Sequence, residues 1–285
     1  MWSASPGDLR AKSTAAALHG ARRFSERGSQ FPFSAYAYTE IAFWPGCSLA
    51  GTSPSVVRNT AALLGEHLRK DVGIVLDCCF DPLYQLGEVD SVNSAAQRIR
   101  LKLKKRGIRH VIAGCLNCLK IFRLYLPEIK VDYVLDVIPE GLINIPTNDN
   151  LKGPVYLHHP CPAYRIEGHR ERANKLLVST GRAFQESQRP QCCGLGRGMN
   201  VISPGQADAL TDRIIRSAQG KAIVTYCMGC KGRLLSRRAA AFHILEFLPG
   251  VKPAEKPLSP FHYWANRLWL SLQTTLAVTE PEAYV

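Results

Sequence analysis

All ten cysteines of this chain belong to one pattern that occurs twice. Each copy has a single cysteine, then an adjacent pair after 30 intervening residues, then a Cys-x-x-Cys motif after 35 more in the first copy and 33 in the second. The first copy consists of Cys47, Cys78, Cys79, Cys115 and Cys118, and the second of Cys161, Cys192, Cys193, Cys227 and Cys230. Five thiols at a repeated spacing indicate metal binding or redox chemistry at sulfur in each copy.

Several sulfur chemistries compete for these cysteines. Zinc takes four ligands in a closed tetrahedron and would leave one cysteine idle in each copy. Disulfides are disfavoured because adjacent cysteines seldom bond to each other and the default compartment is reducing. A thioredoxin-type interpretation of the Cys-x-x-Cys motifs explains neither the pairs nor the 30-residue spacing. Iron-sulfur ligation suits thiolates best, but a cubane cluster has four corners, so a fifth thiolate must bridge iron atoms or one cysteine must be free.

The residues around the cysteines repeat as well. Residues 41–47 align with 155–161 at an offset of 114, and residues 134–139 align with 244–249 at an offset of 110. A duplicated unit of about 110 residues therefore organises the chain.

Short runs rich in valine and isoleucine alternate with helical patterns in both halves. Strands are predicted at 41–45, 73–77, 110–114, 131–138, 155–158, 222–226 and 242–248, and helices of the second half at 168–179, 205–219 and 231–240. The alternation predicts an α/β fold of two similar cysteine-rich domains from an internal duplication, each a mainly parallel sheet flanked by helices. Cys47, Cys115, Cys161 and Cys227 then stand at the carboxyl ends of strands, the edge of such a sheet where ligands bind.

Composition sets the predicted domain boundaries. They are a disordered N-terminal extension at 1–38, a first cysteine-rich domain at 39–143, a linker at 144–153, a second domain at 154–250 and a C-terminal tail at 251–285. The tail contains an amphipathic helix at 261–278, whose apolar face carries Phe261, Ala265, Leu268, Leu272 and Leu276. We expect this face to pack on the body. A membrane-surface role is disfavoured because Arg267 is the one fixed cation on the polar side.

Charge and targeting signals bound the location and partners of the protein. The formal net charge is +13, but ligated cysteines are thiolates, and two clusters held by five thiolates each would remove roughly six charges. The basic run at 98–109 lacks interleaved aromatic residues and is typical of a solvated helix face, so no nucleic-acid partner is expected. Docking of an acidic partner there is the alternative. Without a signal peptide or an apolar run of spanning length, the expected location is cytoplasmic.

The repeated cysteine pattern, over roughly residues 41–250, resembles the CCG cysteine-rich domain family, best exemplified by the B-type subunit of heterodisulfide reductase. In that family each five-cysteine motif can hold a noncubane 4Fe-4S cluster, and a disulfide is reduced between the two clusters. The resemblance implies two such clusters here, with all ten cysteines as ligands. The second motif continues with Gly194, as in the family, whereas the first has Phe80. The bulk of Phe80 predicts altered geometry or access at the first site.

The resemblance also implies an activity: an iron-sulfur oxidoreductase subunit, catalytic and disulfide-reductase-like, that transfers electrons to a disulfide or related acceptor such as a small thiol or disulfide substrate. The bacterial ferredoxin motif, the Rossmann glycine motif and the P-loop are absent from the sequence, so electrons must arrive from another polypeptide. A ferredoxin-like or flavoprotein donor subunit is implied, and membrane association would be peripheral, through a partner. The alternative is a non-catalytic electron-transfer or scaffold subunit with one cluster or with zinc.

Other polar residues near the cysteines are weaker candidates. His158 and His159 could protonate a departing thiolate, although histidine at a strand end is more often structural. Arg165 and Arg197 could hold a substrate carboxylate or balance cluster charge. The remaining candidates are expected in the core: Tyr156, Tyr164 and Tyr226.

Overall fold

The computed structural model describes residues 6–29, 38–146, 151, 153–187, 189–251, 253 and 258–279. Its strands are β1 (Ile41–Trp44), β2 (Val72–Ile74), β3 (His110–Ala113), β4 (Lys130–Tyr133), β5 (Val155–His158), β6 (Phe184–Glu186), β7 (Ile223–Thr225) and β8 (Ala241–His243). They form two four-stranded parallel sheets with the orders β2-β1-β3-β4 and β6-β5-β7-β8. The two orders are the same, which confirms the predicted α/β fold and its duplication.

Helices flank both sheets. They are α1 (Pro6–Gly28), α2 (Cys47–Thr52), α3 (Pro54–Leu68), α4 (Asp81–Tyr84), α5 (Val89–Lys105), α6 (Leu116–Tyr125), α7 (Val134–Val137), α8 (His169–Val178), α9 (Met199–Ile202), α10 (Pro204–Ala218), α11 (Met228–Ser236) and α12 (Pro260–Thr279), with 3-10 turns at Cys161–Tyr164, Gly196–Gly198 and Ile244–Phe247. Every residue of the inner strands β1 and β5 is buried. Helix cover on both faces explains why these strands are continuous apolar runs.

Three predicted strands end at least three residues earlier than their apolar runs suggest, and the one predicted at 73–77 ends at Ile74. The run at 131–138 becomes α7 after Tyr133, and the run at 242–248 becomes a 3-10 turn after His243. A reciprocal capping box forms the second change of direction, because the His243 side chain accepts from the Leu245 N–H and the Glu246 side chain accepts from the His243 N–H. Periodicity alone does not separate a buried strand from a buried turn.

The N-terminal extension contains a helix where disorder is predicted. Helix α1 occupies Pro6–Gly28 and contacts α4 and α9. Its own residues Ala17 and Ser25 are buried. Its ring contacts come from Phe24, which packs against Tyr263 and Trp264 of α12, and few other large apolar residues mark the buried face of this helix in the sequence. Residues 1–5 and 30–37 lie outside the described residues, as do 147–150 and 152 of the predicted linker, and the domain boundaries remain predictions.

The C-terminal helix α12 forms where it is predicted, but its predicted buried face is wrong. Phe261 is 78% exposed and Leu272 is 52% exposed, whereas Arg267 and Leu270 are fully buried. Arg267 turns inward because main-chain carbonyl groups of the body accept its hydrogen bonds. Side chains from 274 onward, including that of Leu276, lie outside the described residues. Among the helices that the structure describes, none has the length and apolar character needed to span a bilayer.

Candidate metal centres

The fold brings the first five cysteines to the carboxyl edge of the first sheet. Cys47 begins α2 just beyond β1, and Cys115 caps α6 just beyond β3, with Cys118 in the first turn of that helix. Cys78 and Cys79 lie in the loop between β2 and α4. Because parallel strands share one carboxyl edge, three separate loops deliver these thiols to the same end of the sheet.

The second five occupy the corresponding positions of the second sheet. Cys161 begins the 3-10 turn after β5, and Cys227 caps α11 after β7, with Cys230 inside that helix. Cys192 and Cys193 lie between β6 and the turn that leads to α9. The repeat in the sequence is therefore a repeat in space.

Within each group the thiols contact one another in the same pairs. The Cys118 thiol donates to the sulfur of Cys79 at 3.2 Å, and the Cys230 thiol donates to the sulfur of Cys193 at 3.3 Å. In the same way, the lone cysteine of each motif pairs with the first cysteine of the adjacent pair, as Cys47 with Cys78 and Cys161 with Cys192. The structure thus assembles each group from three distant parts of its motif.

These contacts favour the thiolate form at particular cysteines. A hydrogen bond from Cys78 lowers the pKa of Cys47 to about 7 against the effect of burial, and the Arg267 guanidinium adds to the lowering. A hydrogen bond from Cys161 likewise lowers the pKa of Cys192 to about 6, with the Gly194 N–H as a second donor. Thiolate is the form that binds metal.

At the start of α6 the backbone contributes to the same effect. The pKa of Cys115 is lowered first by its hydrogen bond from Cys118 and then by the backbone N–H groups of Cys118 and Asn117. Unpaired N–H groups at a helix N-terminus stabilise negative charge in this way.

The donor set fits a cluster of several metal atoms. Iron-sulfur centres are held by cysteine thiolates, and this protein supplies ten free cysteines in two groups. In the part of the chain that the structure describes, no three Cys, His, Asp or Glu side chains gather tightly enough to hold a single metal ion.

Phe80 and Gly194 occupy the same place after the adjacent cysteines of each motif. Both have left-handed backbones, with φ of 63° and 78°. The N–H of each donates to the first sulfur of its pair at 3.3 Å, to Cys78 in the first group and to Cys192 in the second. The backbone turn expected of glycine is therefore present in the first group, and the Phe80 side chain is buried beneath the guanidinium of Arg98.

The two groups differ in their exposure to solvent. In the first, Cys78, Cys79 and Cys118 are buried, whereas Cys161 of the second is exposed. Part of the cover over the first group comes from α12, where the Tyr263 hydroxyl donates to the Cys47 carbonyl at 2.6 Å. The contribution of α12 to this site has no signal in the cysteine spacing.

The candidate histidines are buried rather than presented to solvent. Burial lowers the pKa of His158 to about 3, with a smaller contribution from His159, so His158 is neutral. His159 forms a hydrogen-bonded chain, because its Nδ1 lies 2.6 Å from the Tyr226 hydroxyl and its Nε2 contacts Glu186. Their catalytic roles remain predictions.

The other candidate residues divide between surface and interior. Arg165 and Arg197 are exposed, and the Arg197 N–H donates to Gln85 at 2.8 Å. Tyr156 and Tyr226 are buried, as expected of core residues, whereas Tyr164 is half-buried.

These features agree with the comparisons to known proteins. The model of the CCG family, a cysteine-rich domain, matches residues 41–123 and 155–234, which together are more than half of the chain. The protein belongs to this family.

Relatives with known names share most of this region. The chain is 29% identical over 223 residues to the B-type subunit of fumarate reductase (CoM/CoB) from Methanothermobacter marburgensis, covering 75% of this chain and 44% of that protein. It is 24% identical over 203 residues to an iron-sulfur protein of Methanococcus maripaludis, covering 67% of this chain and 40% of that one. An iron-sulfur protein of Methanocaldococcus jannaschii is 23% identical over 226 residues, covering 76% and 43%. The chain thus spans less than half the length of these relatives.

Proposed function

We propose that this protein is an iron-sulfur subunit of a reductase, with one cluster bound by each group of five cysteines. The identical pairing of thiols in the two groups is the observation that supports this most strongly. Membership of the cysteine-rich family and the names of the relatives agree with it.

The bound groups are proposed to be noncubane 4Fe-4S clusters, which would supply one-electron transfer at potentials set by charge, hydrogen bonding and exposure. The protein contributes the thiolate ligands, the backbone N–H groups of Phe80 and Gly194 that donate to ligand sulfurs, and the surrounding burial. These are the means by which a fold holds a cluster and tunes it.

We place the electron acceptor at the second group. Cys161 is exposed there, so a disulfide or related acceptor could approach the centre, whereas the first group is largely buried. A separate ferredoxin-like or flavoprotein subunit is the proposed donor. The relatives are more than twice as long as the matched part of this chain, which supports a need for further polypeptide.

The test is anaerobic purification followed by iron, sulfide and zinc analysis and an EPR spectrum of the oxidised protein. We expect about eight irons and eight sulfides per wild-type chain, as two 4Fe-4S centres require. Cys79→Ser and Cys193→Ser are matched variants in the two groups, and each should lose or alter one centre while leaving the other. Zinc or no metal would contradict the proposal, and about four irons would restrict it to one site.

Disulfide reduction by the intact protein tests the acceptor separately. With a chemically reduced dye as the electron source, the wild type should reduce a small disulfide, and Cys193→Ser should lose this activity. A protein with two complete centres and no such activity would contradict the disulfide acceptor and retain the electron-transfer role.

A further inference from the structure

Helix α12 places one arginine in the interior beside the first cysteine group. Arg267 is fully buried, and it lies outside both segments matched by the family. Its Nη2 donates to the carbonyl oxygens of Gly28 at 2.9 Å and Leu76 at 2.5 Å, and its Nη1 donates to that of Cys47 at 3.5 Å. The side chain therefore joins α1, the loop before the adjacent cysteines and the first ligand.

The end of α1 shows how close this cation comes to the sulfur atoms. A Cβ placed on Gly28 would lie 3.2 Å from Cys78 Cβ, 3.6 Å from Cys47 Sγ and 3.7 Å from Arg267 Nη2. The guanidinium and the two cysteines thus surround one small space, which glycine leaves open.

Burying a guanidinium costs several kcal/mol unless hydrogen bonds and opposite charge compensate it. The three carbonyl groups satisfy hydrogen bonds but bring no net charge. The buried carboxylates nearby have lysines of their own, because Asp77 lies 2.9 Å from Lys102 Nζ and Asp81 lies 2.5 Å from Lys120 Nζ. Asp77 also interacts electrostatically with Arg267, but less strongly than Cys47 and Cys78 do, so the thiolates of the first group are the charges best placed to balance Arg267.

The second group has a different arrangement. Arg233 Nε donates to the Cys193 carbonyl at 3.4 Å, but its Nη2 is paired with the Asp208 carboxylate at 2.7 Å and its side chain is partly exposed. A paired, solvated cation influences a neighbouring charge less than a buried one.

We propose that Arg267 is a positioning residue of the first centre, whose buried charge favours the reduced, more negative state of the cluster and secures α12 against Cys47. This inference rests on the proposed function. It predicts that the first centre has a higher reduction potential with Arg267 than without it, because a nearby positive charge stabilises the added electron in a medium of low polarity.

The experiment is a redox titration of the intact protein, followed by EPR, together with iron analysis. Arg267→Met removes the charge, Arg267→Gln keeps donors for the carbonyl groups without charge, and Arg267→Lys keeps charge. The matched control is Arg58→Met, since Arg58 is exposed and contacts α12 through Gln273 and the ring of Trp269.

In both neutral variants we expect one of the two centres to move to a lower potential and the other to remain as in wild type. Arg58→Met should change neither, and Arg267→Lys should stay closer to wild type than Arg267→Gln. If the neutral variants instead lose half their iron while Arg267→Lys retains it, the charge is needed to hold the first centre, which also supports the inference.

Two results would overturn it. Unchanged potentials in Arg267→Gln or Arg267→Met, with full iron, would show that the charge does not act on the centre. Equal loss of iron in Arg267→Lys and Arg267→Gln would assign the residue a hydrogen-bonding role alone. Wild type without iron would overturn the proposed function as well, so the two failures are distinguishable.

Discussion

The hydroxyl of Tyr133 donates a hydrogen bond to the carbonyl oxygen of Tyr226 at 3.1 Å, across the boundary between the two sheets. Tyr133 ends β4, and Tyr226 immediately precedes the ligand candidate Cys227. Both tyrosines are fully buried. Burial, with the charges of Tyr226, Cys115 and Cys227 adding to it, holds the pKa of Tyr133 well above its usual range, so the hydroxyl stays protonated and remains a donor. The two sheets are therefore joined by a buried hydrogen bond whose acceptor is the residue immediately before Cys227.

Removing the Tyr133 hydroxyl should weaken the packing between the two repeats. Tyr133→Phe removes one buried hydrogen bond to the Tyr226 carbonyl, which also interacts with the His243 side chain, and this loss costs about 0.5–1.5 kcal/mol. We expect a lower midpoint of urea-induced unfolding. Tyr38→Phe is the control, because Tyr38 is 68% exposed and should leave the midpoint nearly unchanged. Equal midpoints for the two variants would show that the hydrogen bond contributes little.

Gly194 should tolerate no larger residue. An added Cβ would lie 2.5 Å from the Ala207 carbonyl oxygen and would also require a left-handed alanine. Gly194→Ala should displace the adjacent cysteines from α10 and reduce the iron bound by the second group. Gly205→Ala is the matched control, since Gly205 lies in α10 with open space around its Cα. It should bind iron fully and unfold at equal or higher urea concentration, because alanine favours helix by about 1 kcal/mol.

At position 80 we expect a glycine variant to be more stable than an alanine variant, the reverse of the order usual in helices. Either replacement removes a buried ring and costs about 3–5 kcal/mol, but glycine relieves the left-handed backbone whereas alanine keeps it strained. We expect Phe80→Gly to be more stable than Phe80→Ala by about 1 kcal/mol, measured by urea unfolding.

Phe122, buried inside the regular helix α6, is the control for this comparison, and there alanine should be the more stable replacement. The same order at both positions would mean that the left-handed turn at Phe80 carries no strain.

A buried ion pair holds the helix that carries Cys230. Lys231 Nζ lies 2.5 and 2.6 Å from the two carboxylate oxygens of Glu246, and both side chains are fully buried. Glu246→Gln leaves the ammonium without its countercharge and should cost about 3–5 kcal/mol, seen as a lower urea midpoint.

The exposed pair Lys70 and Glu40 provides a comparison, and Glu40→Gln should cost under about 1 kcal/mol. The double change Lys231→Met with Glu246→Gln should recover much of the lost stability, because it removes both buried charges and keeps an acceptor for the His243 N–H. If Glu246→Gln lowered the stability no more than Glu40→Gln, the buried ion pair would contribute no more to stability than the exposed one.

Cysteine spacing predicted the duplication and the two groups of cysteines because the same spacing occurs in both halves, and the alternation of apolar runs with helical patterns predicted the α/β fold. Strands β1 and β5 were predictable from apolar runs that are buried on both faces. The edge strand β6 was not, since Phe184-Gln185-Glu186 is only partly buried and has no apolar run. An edge strand owes its position to one neighbour, and its side chains need not be hydrophobic.

The wrong prediction of the buried face of α12 has a physical cause. Amphipathic patterns assign apolar residues to the interior, and at α12 this rule places Arg267 in solvent. The guanidinium is buried because its acceptors, the carbonyl groups of Gly28 and Leu76, come from positions nearly 200 or more residues away. Hydrogen-bond partners so distant in the sequence cannot be predicted from the pattern of one helix.

The cover that α12 places over the first cysteine group also has a consequence for biosynthesis. A chain emerging from the ribosome completes its last first-group thiol at Cys118, long before Arg267 exists. Until then, the carbonyl groups that Arg267 will occupy stay open, and so does the approach to Cys47. The cover that α12 adds beside Cys47 can therefore form only after all five thiols of the first group have been synthesised.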